Sequence, residues 1–277
     1  MSLMSKLLTT ILISTFIVNA GDKLTKNDLE NYAEAYIIRN SHVDIEEVKI
    51  IQETTHPDLP GWKVYLILIN IEYMGQQMSL PQIIFFKDGL ITEHLVSIDK
   101  GRDYANYIKP PLTKDVYNDK HLIYGDKDAA HKVVVFSDPR CPFCQEIVPD
   151  IFKAAKAHPK KLALYYYHLP LLRIHPASGV LTRIMHIAQA QGRMDVFEKM
   201  YTMKIDEKET NTAKILAEVK KQTGFSVTEQ QINEKSVTDT MNTDAAVAAK
   251  LMVGGTPTVF VDGQFDPERK KYKEFIK

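Results

Sequence analysis

Cys141 and Cys144 are the only cysteines among 277 residues, and they close the stretch that most restricts the fold: Val133-Val134-Val135-Phe136-Ser137-Asp138-Pro139-Arg140-Cys141-Pro142-Phe143-Cys144. Val133 to Phe136 are apolar without alternation, the pattern of a strand covered on both faces. Asp138-Pro139 is a turn signal. Pro142 suits a first helical turn, where a missing N–H leaves no bond unmade. From there Cys144, Ile147, Val148, Ile151, Phe152 and Ala155 recur at helical spacing, which packs a helix on the sheet. The same spacing leaves Cys141 at the exposed tip of that helix. Pro149 falls inside the helix and is expected to kink it.

A helix N-terminus presents unpaired N–H groups and positive potential, which favour thiolate over thiol. Arg140 is expected to add to that potential. A thiolate at position 141 attacks disulfides, and Cys144 can close the ring and release the product. Other uses of the pair fit less well. A structural zinc site wants four ligands, there is no second cysteine pair, and His131, His158, His168 and His175 are scattered. A purely structural bridge over so small a loop would stabilise little.

Lys plus Arg and Asp plus Glu number 35 each, with no basic block or stripe, so no nucleic-acid partner is expected. Residues 1–20 read as a secretory signal. Lys6 is the positive start, Leu7 to Val18 a short apolar core, and Val18-Asn19-Ala20 a small-residue cleavage pattern. The core is shorter than the ~20 residues a bilayer span needs. Export to an oxidising compartment makes a lone cysteine pair a working disulfide.

Length suggests about two domains. Thr25-Lys26-Asn27-Asp28 has the form of a helix cap. Leu29, Tyr32, Ala33, Tyr36 and Ile37 then mark one helix face, and four strand-like runs follow at Val48–Glu53, Trp62–Tyr73, Gln77–Phe86 and Leu90–Ser97. The simplest result is an α+β domain over 21–99, one helix backed by an antiparallel sheet. Residues 100–120 are polar, carry Pro110-Pro111 and read as a linker. A second domain spans 121–277. It has a short strand near His121–Tyr124, the cysteine strand and helix, and another strand over Leu162–Leu171 parallel to the first. A helical segment covers about 175–236, and a helix follows over Val237–Leu251. Thr256–Val261 is a strand opened by Pro257, Gln264-Phe265 a short strand, and the remainder to Lys277 a basic amphipathic helix. A proline at that position after Gly-Gly-Thr is a candidate for either peptide isomer.

The strand, Cys141-Pro142-Phe143-Cys144 at a helix start and the distant Thr256-Pro257 resemble the thioredoxin superfamily, in which the proline is cis and faces the cysteines. The helical segment is similar to the insertion of the bacterial Dsb proteins. Phe136 to Cys144 is similar to the active-site segment of DsbG, and threonine before the proline is the choice of DsbC and DsbG. Where thioredoxin and DsbA carry a buried acid, this chain has Val135. The Pro142-Phe143 pair departs from the Gly-Tyr of typical DsbC.

The resemblance implies a cystatin-like N-terminal dimerisation domain, a linker and a thioredoxin-fold catalytic domain. It implies a periplasmic thiol–disulfide oxidoreductase or isomerase without cofactor or metal, with Cys141 as nucleophile and Cys144 as resolving thiol. Arg140, Pro142, Phe143, Thr256 and Pro257 shape the site. The partners implied are unfolded or misoxidised exported proteins, a membrane redox partner that resets the pair, and a second copy of the chain. A DsbA-like donor of disulfides and a dimeric chaperone with secondary cysteines are the alternative readings.

Overall fold

The computed structural model describes residues 23–39, 43–73 and 76–277. The signal expected over residues 1–20 lies outside the described residues, as do Met74 and Gly75 of the second hairpin turn. Helix α1 (Lys26–Tyr32) starts with a capping box. Thr25 Oγ1 accepts from Asp28 N at 3.2 Å, and Asp28 Oδ2 accepts from Thr25 N at 2.8 Å. A wider π turn, Ala33–Ile37, continues it. Strands β1 (Val43–Thr55), β2 (Lys63–Tyr73), β3 (Gln76–Lys87) and β4 (Leu90–Thr92) form one antiparallel sheet in that order.

Both faces of this sheet are covered, which explains why β2 is apolar at nearly every position. Tyr65, Ile67, Ile69 and Ile71 pack with Leu29 and Ala33 on the helix side. Val64 and Leu66 point the other way and pack with Ile83, Phe85, Tyr104, Ile108 and Met252. Met252 belongs to the second half of the chain, so this second face is also the seam between the halves.

The run expected over Leu90–Ser97 splits. β4 ends at Thr92, and β5 (Val96–Ser97) turns to pair with β6 (Arg102–Asp103) instead. Thr92 Oγ1 and the His94 backbone bond each other at the break, and His94 Nδ1 meets Asp103 Oδ2 at 2.6 Å. Helix α2 (Tyr104–Tyr107) follows, capped by Asp103 Oδ1 on Ala105 N.

The second sheet runs β11-β10-β8-β9-β7, from β7 (Leu122–Tyr124), β8 (His131–Ser137), β9 (Leu162–His168), β10 (Thr258–Val261) and β11 (Gln264–Phe265). β8 and β9 are parallel, joined by α3 (Pro142–Ala157), and the other pairs are antiparallel. Alternate residues of β8 and β9 enter two cores. Val133, Val135, Leu164 and Tyr166 face α3 and the helices α4 (Ser178–Ala190), α5 (Met194–Lys199), α6 (Thr212–Thr223) and α7 (Glu229–Ile232). Val134, Phe136, Tyr165 and Tyr167 face α8 (Lys235–Lys250).

Gly125, between β7 and β8, sits at φ +83, and a Cβ there would lie 1.8 Å from Leu162 O, so only glycine fits the turn. The tail expected as a helix to Lys277 is a 3₁₀ turn, Lys271–Phe275. Arg269 at φ +58 interrupts the chain just before it, and the few residues left cannot repay helix nucleation. Among the described residues no helix is long and apolar enough to cross a membrane.

Candidate active site

Helix α3 begins with Cys141 as N-cap and Pro142 in its first turn, and runs through Pro149. Cys144 faces the core one turn on and is fully buried. Cys141 was expected at an exposed tip, yet only 5% of it is exposed. The cover is tertiary. Thr258 pairs with Phe136 and Val259 with Val135, so the register of β10 on β8 sets residues 254–257 against the start of α3. Cys141 Sγ donates to Thr256 O at 3.4 Å. The Thr256–Pro257 peptide is cis, and Arg269 Nε donates to Pro257 O at 2.9 Å. Phe143 carries the exposure instead, at 64%.

The two cysteines are free thiols with opposite electrostatics. The Cys141 thiol is pulled down to about 5, first by the Cys144 thiol beside it, against its own burial, and further by Thr256 and the N–H groups of Cys144 and Phe143. Burial, reinforced by Cys141, pushes the Cys144 thiol far up. Thr256 Oγ1 is buried beside the sulfurs and has no hydrogen-bond partner among the described residues. The contact on Cys141 is made by the threonine carbonyl.

Arg140 does not aim at Cys141. Its guanidinium donates to Met203 O and Ile205 O, each at 3.1 Å, tying the loop before α3 to the segment that follows α5.

The feature that sequence reading passed over is Asp138, taken there only as part of a turn. It is fully buried. Oδ1 accepts from Arg140 N at 2.7 Å and Ser178 Oγ at 2.5 Å; Oδ2 accepts from Leu171 N at 2.8 Å and meets His175 Nδ1 at 3.0 Å. This carboxylate fixes the turn that delivers Cys141, whose N–H also bonds Asp138 O at 3.2 Å. Ser137, Tyr166 and Tyr201 were likewise missed. An acid and a hydroxyl beside an unbroken apolar run were the available signal.

A cleft of about 490 Å³ opens beside the Thr256–Pro257 loop, with Ile83, His94 and Lys109 on one side and Gly255, Thr256 and Arg269 on the other. Among the described residues no group of three or more His, Cys, Asp or Glu is placed to hold a metal.

The family profile described as Thioredoxin matches residues 117–277, more than half of the chain. The chain belongs to the thioredoxin family. Its cysteine helix, cis-proline loop and central parallel pair are that family's parts in this sequence. It is also similar to the Na(+)/H(+) antiporter NhaA 1 of Mycobacterium sp. (strain KMS), 25% identical over 167 residues, covering 58% of this chain and 27% of the antiporter. The chain thus spans about a quarter of the length of that relative. The probable disulfide bond formation protein D of Bacillus anthracis is 26% identical over 163 residues, covering 55% of this chain and 75% of that protein. Among solved structures, BdbD of Bacillus subtilis aligns with a TM-score of 0.48 at 17% identity, covering 61% of this chain and 93% of that one. The catalytic domain of Proteus mirabilis ScsC aligns with a TM-score of 0.44 at 22% identity, covering 58% and 92%.

Proposed function

We propose that this thioredoxin-family chain is an exported, periplasmic thiol–disulfide oxidoreductase of the DsbC/DsbG isomerase type, acting on the disulfides of unfolded or misoxidised exported proteins. One observation carries the reading: a Cys141 thiol pulled well below its ordinary range, directly against a buried Cys144 and under the Thr256–Pro257 loop. The Cys141 thiolate attacks a substrate disulfide, and a mixed disulfide forms as one substrate sulfur leaves. Either the freed substrate thiol attacks elsewhere, which is isomerisation, or Cys144 displaces the substrate, which is reduction. Phe143, exposed at the mouth, offers an apolar contact. The Thr256 main chain pairs with an extended substrate segment.

In this reading residues 1–20 are a signal removed after Ala20, 21–99 form a dimerisation domain, 100–120 a linker and 121–277 the catalytic domain. A membrane redox partner keeps the pair reduced. The outer edge of β3 over residues 77–80 lies beyond the reach of short β4, which pairs only with Phe85 to Lys87, and supports strand addition by a second copy. Sedimentation at micromolar concentration tests that assembly, and a monomer throughout defeats it.

Refolding of a scrambled disulfide protein tests the chemistry. Cys141→Ala is expected to abolish rescue, whereas undiminished rescue removes the reading. A second reading, donation of disulfides, is favoured by the same thiolate, because a stabilised reduced form makes the disulfide more oxidising. The likeness to a protein named for disulfide bond formation points the same way. Trapping the pair in cells separates the two: reduced for isomerisation, oxidised for donation.

A further inference from the structure

Cys144 must give up a proton when it resolves a mixed disulfide and regain one in the reverse direction, yet it sits sealed in the core. Val135, which packs in the same core as Cys144, offers no proton acceptor. Asp138 is close in sequence, but both its oxygens are already engaged by Arg140, Leu171, His175 and Ser178. Hydroxyls stand behind Cys144. Burial raises the Cys144 thiol, and hydrogen bonding with the neighbouring Ser137 side chain works the other way. Ser137 Oγ is 2.7 Å from Tyr201 OH, which is 2.7 Å from Tyr166 OH. All three residues are buried.

Tyr166 also lines a separate cavity of about 800 Å³ between α4 and α8. Its rim includes exposed Lys120 and Ser236, and its wall includes buried His168, whose Nδ1 has no partner among the described residues. Tyr166 is the member of the hydroxyl chain that borders this cavity.

We propose that Ser137, Tyr201 and Tyr166 form a hydroxyl relay that carries the proton of Cys144 to and from this cavity. The proposal rests on Cys144 acting as the resolving thiol. As the Cys144 sulfur attacks Cys141, the bond between Cys141 and the substrate breaks and the Cys141–Cys144 bond forms. The substrate sulfur leaves with the electron pair and is reduced, and the enzyme pair is oxidised. The Cys144 proton passes to Ser137 Oγ while Ser137 hands its own to Tyr201, Tyr201 to Tyr166, and Tyr166 to water in the cavity. Each hydroxyl ends with one proton. Burial raises both tyrosines well above their ordinary range, so they pass protons without holding charge.

The ionisable groups beside the relay, other than Cys144, are Asp138 and His168, and those around the cavity are Asp119, Lys120, His121, His186, Asp239 and Asp244. His168 meets the Tyr166 ring at 5.0 Å, and burial holds it neutral by pushing it down to about 4.

The test is stopped-flow reaction of the reduced full chain with an aryl disulfide that releases a coloured thiolate at each step. The first release reports attack by Cys141 and the second attack by Cys144. Ser137→Ala and Tyr201→Phe are expected to slow the second release about a hundredfold at neutral pH, the scale of a lost proton-transfer group. Their second release should then climb with pH, because Cys144 must ionise directly to solvent. Ser137→Thr should restore the rate, and the pH profile of the first release should not move. An unchanged second release in any variant that keeps the first, or loss of the first in both, overturns the relay. A wild-type chain with no first release instead defeats the oxidoreductase reading.

Discussion

Cys141 Sγ lies 3.4 Å from the carbonyl oxygen of Thr256, a residue 115 positions further along the chain. A carbonyl accepts from the thiol and can give nothing to the thiolate. The groups that hold the thiolate are donors: the Cys144 thiol first, then Thr256 and the N–H groups at the start of α3. Opening the β10–β8 register would remove the Thr256 contacts and leave the Cys144 thiol and the N–H groups of α3 in place.

Cys141 reactivity toward an alkylating agent should be nearly flat from neutral pH down to about 6 and fall as pH drops through about 5. The folded thiol is depressed, so its contribution to stability is complete above the ordinary thiol range near pH ~8.5 and is lost as pH falls through about 5. Alkylation rates and denaturant midpoints of the reduced chain across pH measure both. A profile centred on the ordinary thiol value would contradict the site as described.

Thr256→Val should raise the Cys141 value by about one to two pH units, the worth of one hydrogen bond to a charged group. The Thr256 hydroxyl is buried with no partner while Cys141 is a thiol, and the thiolate offers it an acceptor. Thr256→Ser should keep the wild-type profile. The alkylation profile of both variants is the measurement.

Asp138→Ala should destabilise the chain by several kcal/mol, because each buried donor left without its acceptor costs about 1–3 kcal/mol. It strips His175, Ser178 and two backbone N–H groups of their acceptor at once. Cys141 should also react more slowly, because the turn that presents it is no longer fixed. Chemical denaturation gives the first effect and alkylation rate the second; wild-type stability would show the carboxylate to be idle.

Peptide disulfides carrying a glutamate beside the cysteine should be reduced faster than those carrying a lysine. Lys109 lines the cleft, and burial alone pushes its amine down to about 8. The charge is present at neutral pH, so the preference should fade as pH rises through about 8. Lys109→Gln should remove the part of the preference that depends on pH, leaving that of Arg269 across the cleft, and kcat/KM for the two peptides reads the outcome.

Much of this protein is local physics and was legible from the chain. Val133 to Phe136 could only be a strand sealed on both faces, and Pro142 with the apolar spacing after it could only open a helix. Thr25 with Asp28 announced a cap that the structure contains. These signals lie within a few residues of what they control.

Tertiary structure decided the rest. Cys141 reads as exposed until β10 comes to rest beside β8 and lays residues 254–257 over it. Asp138 reads as a turn residue until Leu171, His175 and Ser178 converge on it. Ser137, Tyr166 and Tyr201 are ordinary core positions until their hydroxyls meet. A sequence determines which elements form because propensity, capping and hydrophobic period act over one or two turns. Which polar atoms share a buried space depends on strand order and register, and those are settled only when the whole core packs at once.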